Sequence, residues 1–487
     1  MTPEDLKSLV ATVCKTKTET QELEIKSARG GCPKKLFDTL SSFSNQDSGG
    51  IILFGVDEES DFQAVGVYDA HDLQKQVTEQ CNQMTPVVRP LFTVVEEDGK
   101  LFVSAEIPAV DVTERPCFYA GKGRQKGSYI RVGDADQPMT EYEIYSYEAY
   151  RKRYQDDIRP VPQASVQAFD DAALDAYTQR LKKSKPNLAR LEDRQIHELM
   201  GITKDGVPTL AAVFLFGLYP QAYFPQLCIL AVVVPGTAIA ESGPDATRFL
   251  DNKRIEGTIP QMFDQALAFV IKNMRVQTVI DPVTGKRNDR YEYPVSAVRE
   301  ALLNALVHRD YSMYTEGKPI QVSLFSDRLE ICNPGGLYGR IRVDQLGRVQ
   351  PDTRNPVLAT ALEMLEVTEN RYSGIPTIRA AMKQHGLPEP VFEDTGNAFL
   401  VTLRNDRRTE PQFSKQTRAI LDYCATARTR KELAGFLGMK SVSYAIATYI
   451  TPLVEQGLLE LTLPMTPQSP KQRYRRAAGL APAKDEQ

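Results

Sequence analysis

The chain has 487 residues, 42% of them hydrophobic and 25% charged, with a formal net charge of −4. Such a length predicts roughly two to four domains with ordinary apolar cores, and the slightly acidic balance excludes a uniformly basic nucleic-acid coat, so any nucleic-acid surface has to be local. The seven cysteines and four histidines are scattered, with no pair at metal-clip spacing, which predicts reduced thiols and excludes a zinc hydrolase.

The apolar runs TLAAVFLFGLY (209–219) and QLCILAVVV (226–234) fall short of the roughly 20 residues of a membrane span. The opening MTPEDLKSLVATV is polar and acidic where a secretory leader would be basic and then apolar, so a cytoplasmic protein is expected. There is no G-x-x-x-x-G-K-[ST] phosphate loop, which removes the sequence basis for a helicase motor.

Residues 1–155 read as a first domain. In ELEIK, Leu23 and Ile25 alternate with Glu22, Glu24 and Lys26, the period of a half-buried strand. A helix is expected through KKLFDTLSSFSNQ. GGIILFGVDE then reads as a Gly49-Gly50 turn leading into a strand buried on both faces, with Asp57 at its exit. Farther on, YAGKGRQKGSYIRVGD sets Lys122, Arg124, Lys126 and Arg131 among glycines and tyrosines, a loop that either grips phosphates or simply turns a soluble hairpin. The tyrosine-rich helix EYEIYSYEAYRKRYQ closes the domain, and RPVPQ reads as a linker. The series LEIKSA, SFSNQDSGG and GVDE resembles the AlbA-like domain shared with Schlafen proteins. That resemblance implies nucleic-acid binding and, in the Schlafen branch, an RNA-cleaving trio of carboxylates, here Glu19, Glu24 and Asp57. Carboxylates meeting at strand ends can hold the divalent metal that phosphodiester cleavage uses, although acidic residues beside strands are more often simply solvated.

Residues 165–406 read as a second domain. Helices are expected around LDAYTQRLKK and LEDRQIHELMGI, strands at LAAVFLFG and QLCILAVVVPG, and an amphipathic helix through RIEGTIPQMFDQALAFVIKNMR. The stretch AVREALLNALVHRDYS (297–312) carries the densest signal. As a helix it buries Ala301, Leu302, Ala305 and Leu306, and steps of four align Glu300, Asn304 and His308 on a separate face. A carboxylate there can orient or deprotonate water, and the Asn oxygen is a hard ligand suited to Mg2+ bridging to phosphate; an ordinary solvated helix face has the same spacing. This stretch, followed by SDRLEICNPGGL, RNPVLATALEML, ENRYSGIPTI and GLPEPVFEDTGNAFLVTLRND, resembles GHKL-type ATPases, and more closely the divergent branch labelled RecG-helicase-like. The resemblance implies an α/β sandwich binding ATP and Mg2+. Glu300 would activate water, Asn304 would hold the metal, Gly335 and Gly336 would approach adenine, and Gly374 would lie in a phosphate-covering loop. Asn333 stands where the family has an adenine-bonding Asp, and the later glycine loop is reduced to Ser373-Gly374.

Residues 411–478 read as three short helices, SKQTRAILDYCA, TRKELAGFLG and SVSYAIATYITPLVEQG, followed by strands LLELTLP and QRYRRA. Thr429-x-x-Glu432 is a capping box that marks the second helix start. The pattern resembles a winged helix-turn-helix, which implies duplex DNA or a docked protein as partner. From 407 to 478 there are 12 basic residues against 5 acidic, and Lys440, Arg473, Arg475 and Arg476 are the candidates for nucleic-acid contact. Residues 479–487 are expected to form a disordered tail.

The expected fold class is therefore α+β and multidomain: an AlbA-like α/β domain, a GHKL-like α/β sandwich and a C-terminal winged helix. The leading functional reading is a nucleotide-responsive DNA-binding protein, a transcriptional regulator that binds ATP with Mg2+ and acts as a homo-oligomer. Two others stand beside it. One is a Schlafen-type metal-dependent ribonuclease acting on RNA, a toxin or defence enzyme; the other is an inactive scaffold.

Overall fold

The computed structural model describes residues 1–239, 247–280, 287–350, 352–368, 374–405, 415–439, 441–455, 458–462, 469 and 472–476. Met1–Asn405 form one compact unit and Asp406–Gln487 a second. Among the described residues no helix is long and apolar enough to cross a membrane.

The first unit begins with a four-stranded sheet in the order Leu23–Lys26, Gly50–Phe54, Lys100–Ile107, Leu91–Glu97. The first two strands are parallel, Glu24 level with Ile52, and the other pairs are antiparallel. The continuous apolar run IILF is explained by what covers it. Leu53 joins Leu23 and Ile25 in a core with Leu6 and Val10 of helix Pro3–Thr16, while Ile52 and Phe54 join Leu40 and Phe43 of helix Phe37–Asn45 on the opposite face. The expected Gly49-Gly50 turn is sterically required. Gly49 has φ +68° and an added Cβ would fall 2.3 Å from the Ile107 carbonyl oxygen; one on Gly50 would fall 2.4 Å from the Phe43 ring. The basic loop forms a one-turn helix, Gly123–Gly127, and then a hairpin of Tyr129–Val132 with Ala135–Pro138.

The rest of this unit is built on a six-stranded sheet in the order Asp251–Ile255, Ile229–Val233, Ile320–Leu324, Arg328–Pro334, Ala398–Arg404, Val391–Asp394. Helix Val295–Val307 packs against strand Arg328–Pro334 and between helices Ile259–Asn273 and Gly374–Gln384, the helix-on-sheet layering expected of an α+β fold. Four expectations change. LAAVFLFG is a helix, Leu210–Phe216, capped by Thr209; all seven residues are buried, so neither a period of two nor one of 3.6 shows in the sequence. RIEGTIPQ is divided: Arg254 and Ile255 end a strand, and the helix starts only at Ile259 behind the Thr258 capping box. The 297–312 stretch is helical only through Val307, after which His308 leaves the helix at φ −97°, ψ 6°. The stretch read as a linker (159–163) is held down: the Val161 backbone N–H donates to the Pro208 carbonyl (2.8 Å), and the Arg159 carbonyl accepts from the Leu210 N–H (2.9 Å).

The second unit has helices Lys415–Tyr423 and Arg430–Phe436, then a third helical run of Val442–Ala445, Ile446–Ile450 and Thr451–Glu455 whose middle section is a π turn. A three-stranded sheet follows in the order Arg428–Thr429, Arg473–Arg476, Leu459–Leu461. Ile420, Leu433, Ile450, Leu453 and Tyr474 share its core. The Thr429–Glu432 capping box forms as expected, an arrangement that stabilises a helix start by about 1 kcal/mol. Lys440 lies outside the described residues.

Candidate functional site

Strand pairing builds the floor of a cavity. Arg328–Pro334 runs antiparallel to Ala398–Arg404 with Ile331 opposite Val401 and Asn333 opposite Phe399. Because side chains alternate across a sheet, these four project from the same face, and all four line a cavity of about 630 Å³. Helix Val295–Val307 forms one wall. Its buried stripe of Ala301, Leu302, Ala305 and Leu306 joins the main core, leaving Glu300 and Asn304 on the cavity side. The backbone N–H of His308 still bonds the Asn304 carbonyl (3.0 Å), so the imidazole stays in the same stripe although the helix has ended. His308 is exposed, yet the protein packed around its ring, then the Arg354 guanidinium, lower its pKa from the ordinary imidazole value.

Three glycines shape the opposite side. Gly374 begins its helix directly over the polar pair: an added Cβ would lie 3.0 Å from Asn304 Nδ2 and 3.1 Å from Glu300 Oε2. Gly335 adopts φ +97°, and a Cβ there would meet Asp310 Cβ at 2.4 Å; at Gly336 it would lie 2.7 Å from Asp394 Oδ1. The backbone can make this turn only without side chains. Glu300, Asn304, His308, Asn333, Gly335, Gly336 and Gly374 thus converge on one cavity. Asn333 is 6% exposed, and among the described residues its Oδ1 has no hydrogen-bond partner. Ser373 lies outside the described residues.

Behind the glycine turn stands a group that the sequence reading did not single out. Asp310 and Arg354, both buried, pair at 3.2 Å, and Arg354 Nη2 donates to the Gly336 carbonyl at 3.2 Å. Helix Glu141–Lys152 reaches this group from the N-terminal part of the unit. The Tyr142 hydroxyl donates to Asp310 Oδ2 at 2.7 Å and the Tyr150 hydroxyl to Asp352 Oδ2 at 2.8 Å. Burial, then the Asp310 charge, raise the Tyr142 pKa, so its phenol remains a donor. The HRDYS and RNPV wording was visible, but nothing local ties it to a tyrosine 168 positions earlier.

The carboxylate trio does not assemble as expected. Glu24 pairs with Arg131 Nη1 at 2.8 Å, and Glu19 accepts the Ile25 backbone N–H at 2.7 Å while lying 3.9 Å from Arg131 Nη2. Asp57 sits on a separate two-residue strand paired with Gln63 and accepts from Ser60 Oγ at 2.6 Å. In the strand register Glu24 is level with Ile52, five residues before Asp57, and the chain turns at Gly55 (φ +107°) between them. Among the described residues no three metal-ligating side chains converge. Burial, and secondarily the charges of Glu24 and Glu58, push Glu19 up to about 7.

Two of the four loop cations are also redirected. Arg131 is a buried structural tie to Glu24 and Asp136 (3.0 Å) with its guanidinium 5.2 Å from the Phe43 ring centroid, so it is not open to phosphate. Arg124 is half-buried and pairs with Glu148. Lys122 bonds Asp38 (3.2 Å) and Tyr129 (3.1 Å) yet remains exposed, as does Lys126.

Residues 19–140 match the family described as Schlafen, AlbA_2, and residues 317–403 match Putative ATP-dependent DNA helicase recG C-terminal, a HATPase family. The chain carries a Schlafen AlbA_2 segment and a RecG-type HATPase segment. The first contains Glu19, Glu24, Asp57 and the basic loop; the second contains Asn333, Gly335, Gly336 and Gly374 and begins after the helix that bears Glu300 and Asn304. Residues 147–230 match a domain of unknown function, and residues 415–477 match the C-terminal domain of Fic-like proteins, Fic being filamentation induced by cAMP. Among solved structures the chain is similar to the DIP2311 protein of Corynebacterium diphtheriae, at 21% identity over 93% of both chains with TM-score 0.39. It is also similar to the N-terminal domain of a putative ATP-dependent DNA helicase RecG-related protein from Nitrosomonas europaea, at 26% identity over 29% of this chain and 94% of that one, TM-score 0.23. No curated protein matches the chain.

Proposed function

We propose that this protein is a nucleotide-responsive nucleic-acid-binding protein that acts as a transcriptional regulator. The observation that carries the reading is the convergence of Glu300, Asn304, Asn333, Gly335, Gly336 and Gly374 on one cavity within the unit that also holds the AlbA_2 segment. The apolar floor suits an adenine face, Asn333 offers an acceptor to its amino group, and the bare Gly374 leaves the heads of Glu300 and Asn304 facing the phosphate end. The donor set fits Mg2+ held largely by nucleotide phosphates and water, since Mg2+ commonly takes only one or two protein oxygens. Asn304 would supply that oxygen, and the ion would neutralise phosphate charge. Glu300 would orient a water, giving slow hydrolysis at most. The second unit, with its helices and three-stranded sheet bearing Arg473, Arg475 and Arg476, would act as a winged helix on duplex DNA.

A ribonuclease has weaker support, because among the described residues no three metal-ligating side chains converge. Titration calorimetry of the full chain with a slowly hydrolysed ATP analogue and Mg2+ tests the main reading. Binding at millimolar ligand, weakened in Asn304→Ala, is expected; no heat, or unchanged binding in that variant, overturns it.

A further inference from the structure

We propose that the cavity accepts guanine as well as adenine nucleotides, because the polar group that would meet the base edge is the carboxamide of Asn333. The inference rests on the nucleotide-binding reading and extends it to base selectivity. Three observations on the cavity floor carry it. Asn333 projects from the same sheet face as Ile331, Phe399 and Val401, so a planar ring lying on those side chains places its edge against the carboxamide. The side chain is almost fully shielded, at 6% exposure, so whatever faces it has to satisfy it. Among the described residues no hydrogen bond holds its Oδ1, so the protein does not lock the amide in one orientation.

A carboxamide carries an acceptor and a donor side by side, and a half-turn about its last torsion exchanges them. Adenine presents the N6 amino donor beside the N1 acceptor. In one orientation Asn333 Oδ1 accepts from N6–H while Nδ2 donates to N1. Guanine presents the O6 acceptor beside the N1–H donor, and the half-turn lets Nδ2 donate to O6 while Oδ1 accepts from N1–H. Both purines therefore make two hydrogen bonds with one side chain. A carboxylate in this position would only accept; it would take the adenine amino group with its second oxygen opposed to the N1 lone pair, and would meet guanine through N1–H and N2–H instead of O6, so of the two groups only the carboxamide serves both purines in one placement of the ring. Pyrimidines offer similar edges with one ring fewer to cover Ile331, Phe399 and Val401, so they bind less well. Residue 333 is thus a specificity-determining position, and Asn at that position widens the choice of purine.

The test is calorimetry on the full chain with slowly hydrolysed analogues of ATP and GTP, each with Mg2+, on the native protein and on Asn333→Leu. Native affinities within about tenfold of one another are expected, with Asn333→Leu, which keeps the bulk and removes both hydrogen bonds, weakening each analogue by at least about tenfold. A native preference for the ATP analogue of more than about tenfold overturns the dual-purine proposal and leaves nucleotide binding standing. Unchanged affinity for either analogue in a folded Asn333→Leu protein also overturns it. Absence of heat with both analogues overturns this proposal together with the reading beneath it. The native comparison decides even if the variant fails to fold.

Discussion

Tyr142 donates its hydroxyl to Asp310 across 2.7 Å, and through that bond the helix after the AlbA_2 segment touches the group that supports the glycine turn of the cavity. Asp310 holds Arg354, and Arg354 holds the Gly336 carbonyl. Removing Asp310 leaves a buried guanidinium without its countercharge, which typically costs about 3–5 kcal/mol, whereas removing only the phenol hydroxyl costs about 1.5–3 kcal/mol as a hydrogen bond to a charged group. Asp310→Ala should therefore destabilise the first unit more than Tyr142→Phe. Both variants should also weaken nucleotide binding. Urea unfolding and calorimetry on the same preparations measure this; equal unfolding midpoints for the two variants would contradict it.

Gly374→Ala should separate binding from folding. The glycine starts a helix and is not in the left-handed region, so alanine is tolerated by the backbone and favoured as a helix former by up to about 1 kcal/mol. Its Cβ would press on the Asn304 and Glu300 heads at 3.0 and 3.1 Å. Unchanged or slightly raised thermal stability is expected, with nucleotide affinity reduced at least about tenfold. Full affinity in this variant would show that the polar pair does not face the ligand.

Part of the cavity was legible from local rules, while Asn333 and Gly374 were joined to it only through the family resemblance. Glu300, Asn304 and His308 share a face through the helical period, and Gly335-Gly336 announces a backbone turn before any partner is known. Leu210–Phe216 was not legible, since uniform burial erases periodicity. Arg131 and Asp57 failed for a different reason. Charge in a sequence does not reveal whether the side chain is buried against a distant carboxylate, as Arg131 is against Glu24, or bonded to a neighbour, as Asp57 is to Ser60. The Tyr142–Asp310 bond joins residues with no shared local pattern and appears only once the chain is folded.

Glu19 gives the first unit a pH dependence of definite sign. Its folded pKa, about 7, lies above the ordinary value of 4.5, so the folded protein binds the proton more tightly than the unfolded chain. The associated stability is complete below about pH 4.5 and is lost as pH rises through about 7, at no more than about 1.4 kcal/mol per pH unit. Glu19→Gln should flatten that decline between pH 5 and pH 8, within about that limit. Urea midpoints at several pH values would show it, and parallel pH profiles for native protein and variant would contradict it.

The second unit offers a test of whether its arginines meet DNA. Strand pairing sets Arg475 opposite Glu460, and their side chains bond at 2.8 Å on an exposed surface. An exposed pair of this kind contributes only about 0–1 kcal/mol to folding, so Glu460→Ala should leave the fold intact while freeing Arg475 for a phosphate. Each added phosphate contact steepens the slope of log affinity against log salt by about 0.9. Glu460→Ala should therefore tighten duplex binding at low salt and increase that slope by up to about one, while deletion of residues 406–487 should remove most duplex binding. Fluorescence anisotropy with a labelled duplex across a salt series reads both effects. Duplex affinity that survives the deletion unchanged would assign the second unit to protein docking, and a Glu460→Ala protein with the native slope would place Arg475 away from the nucleic acid.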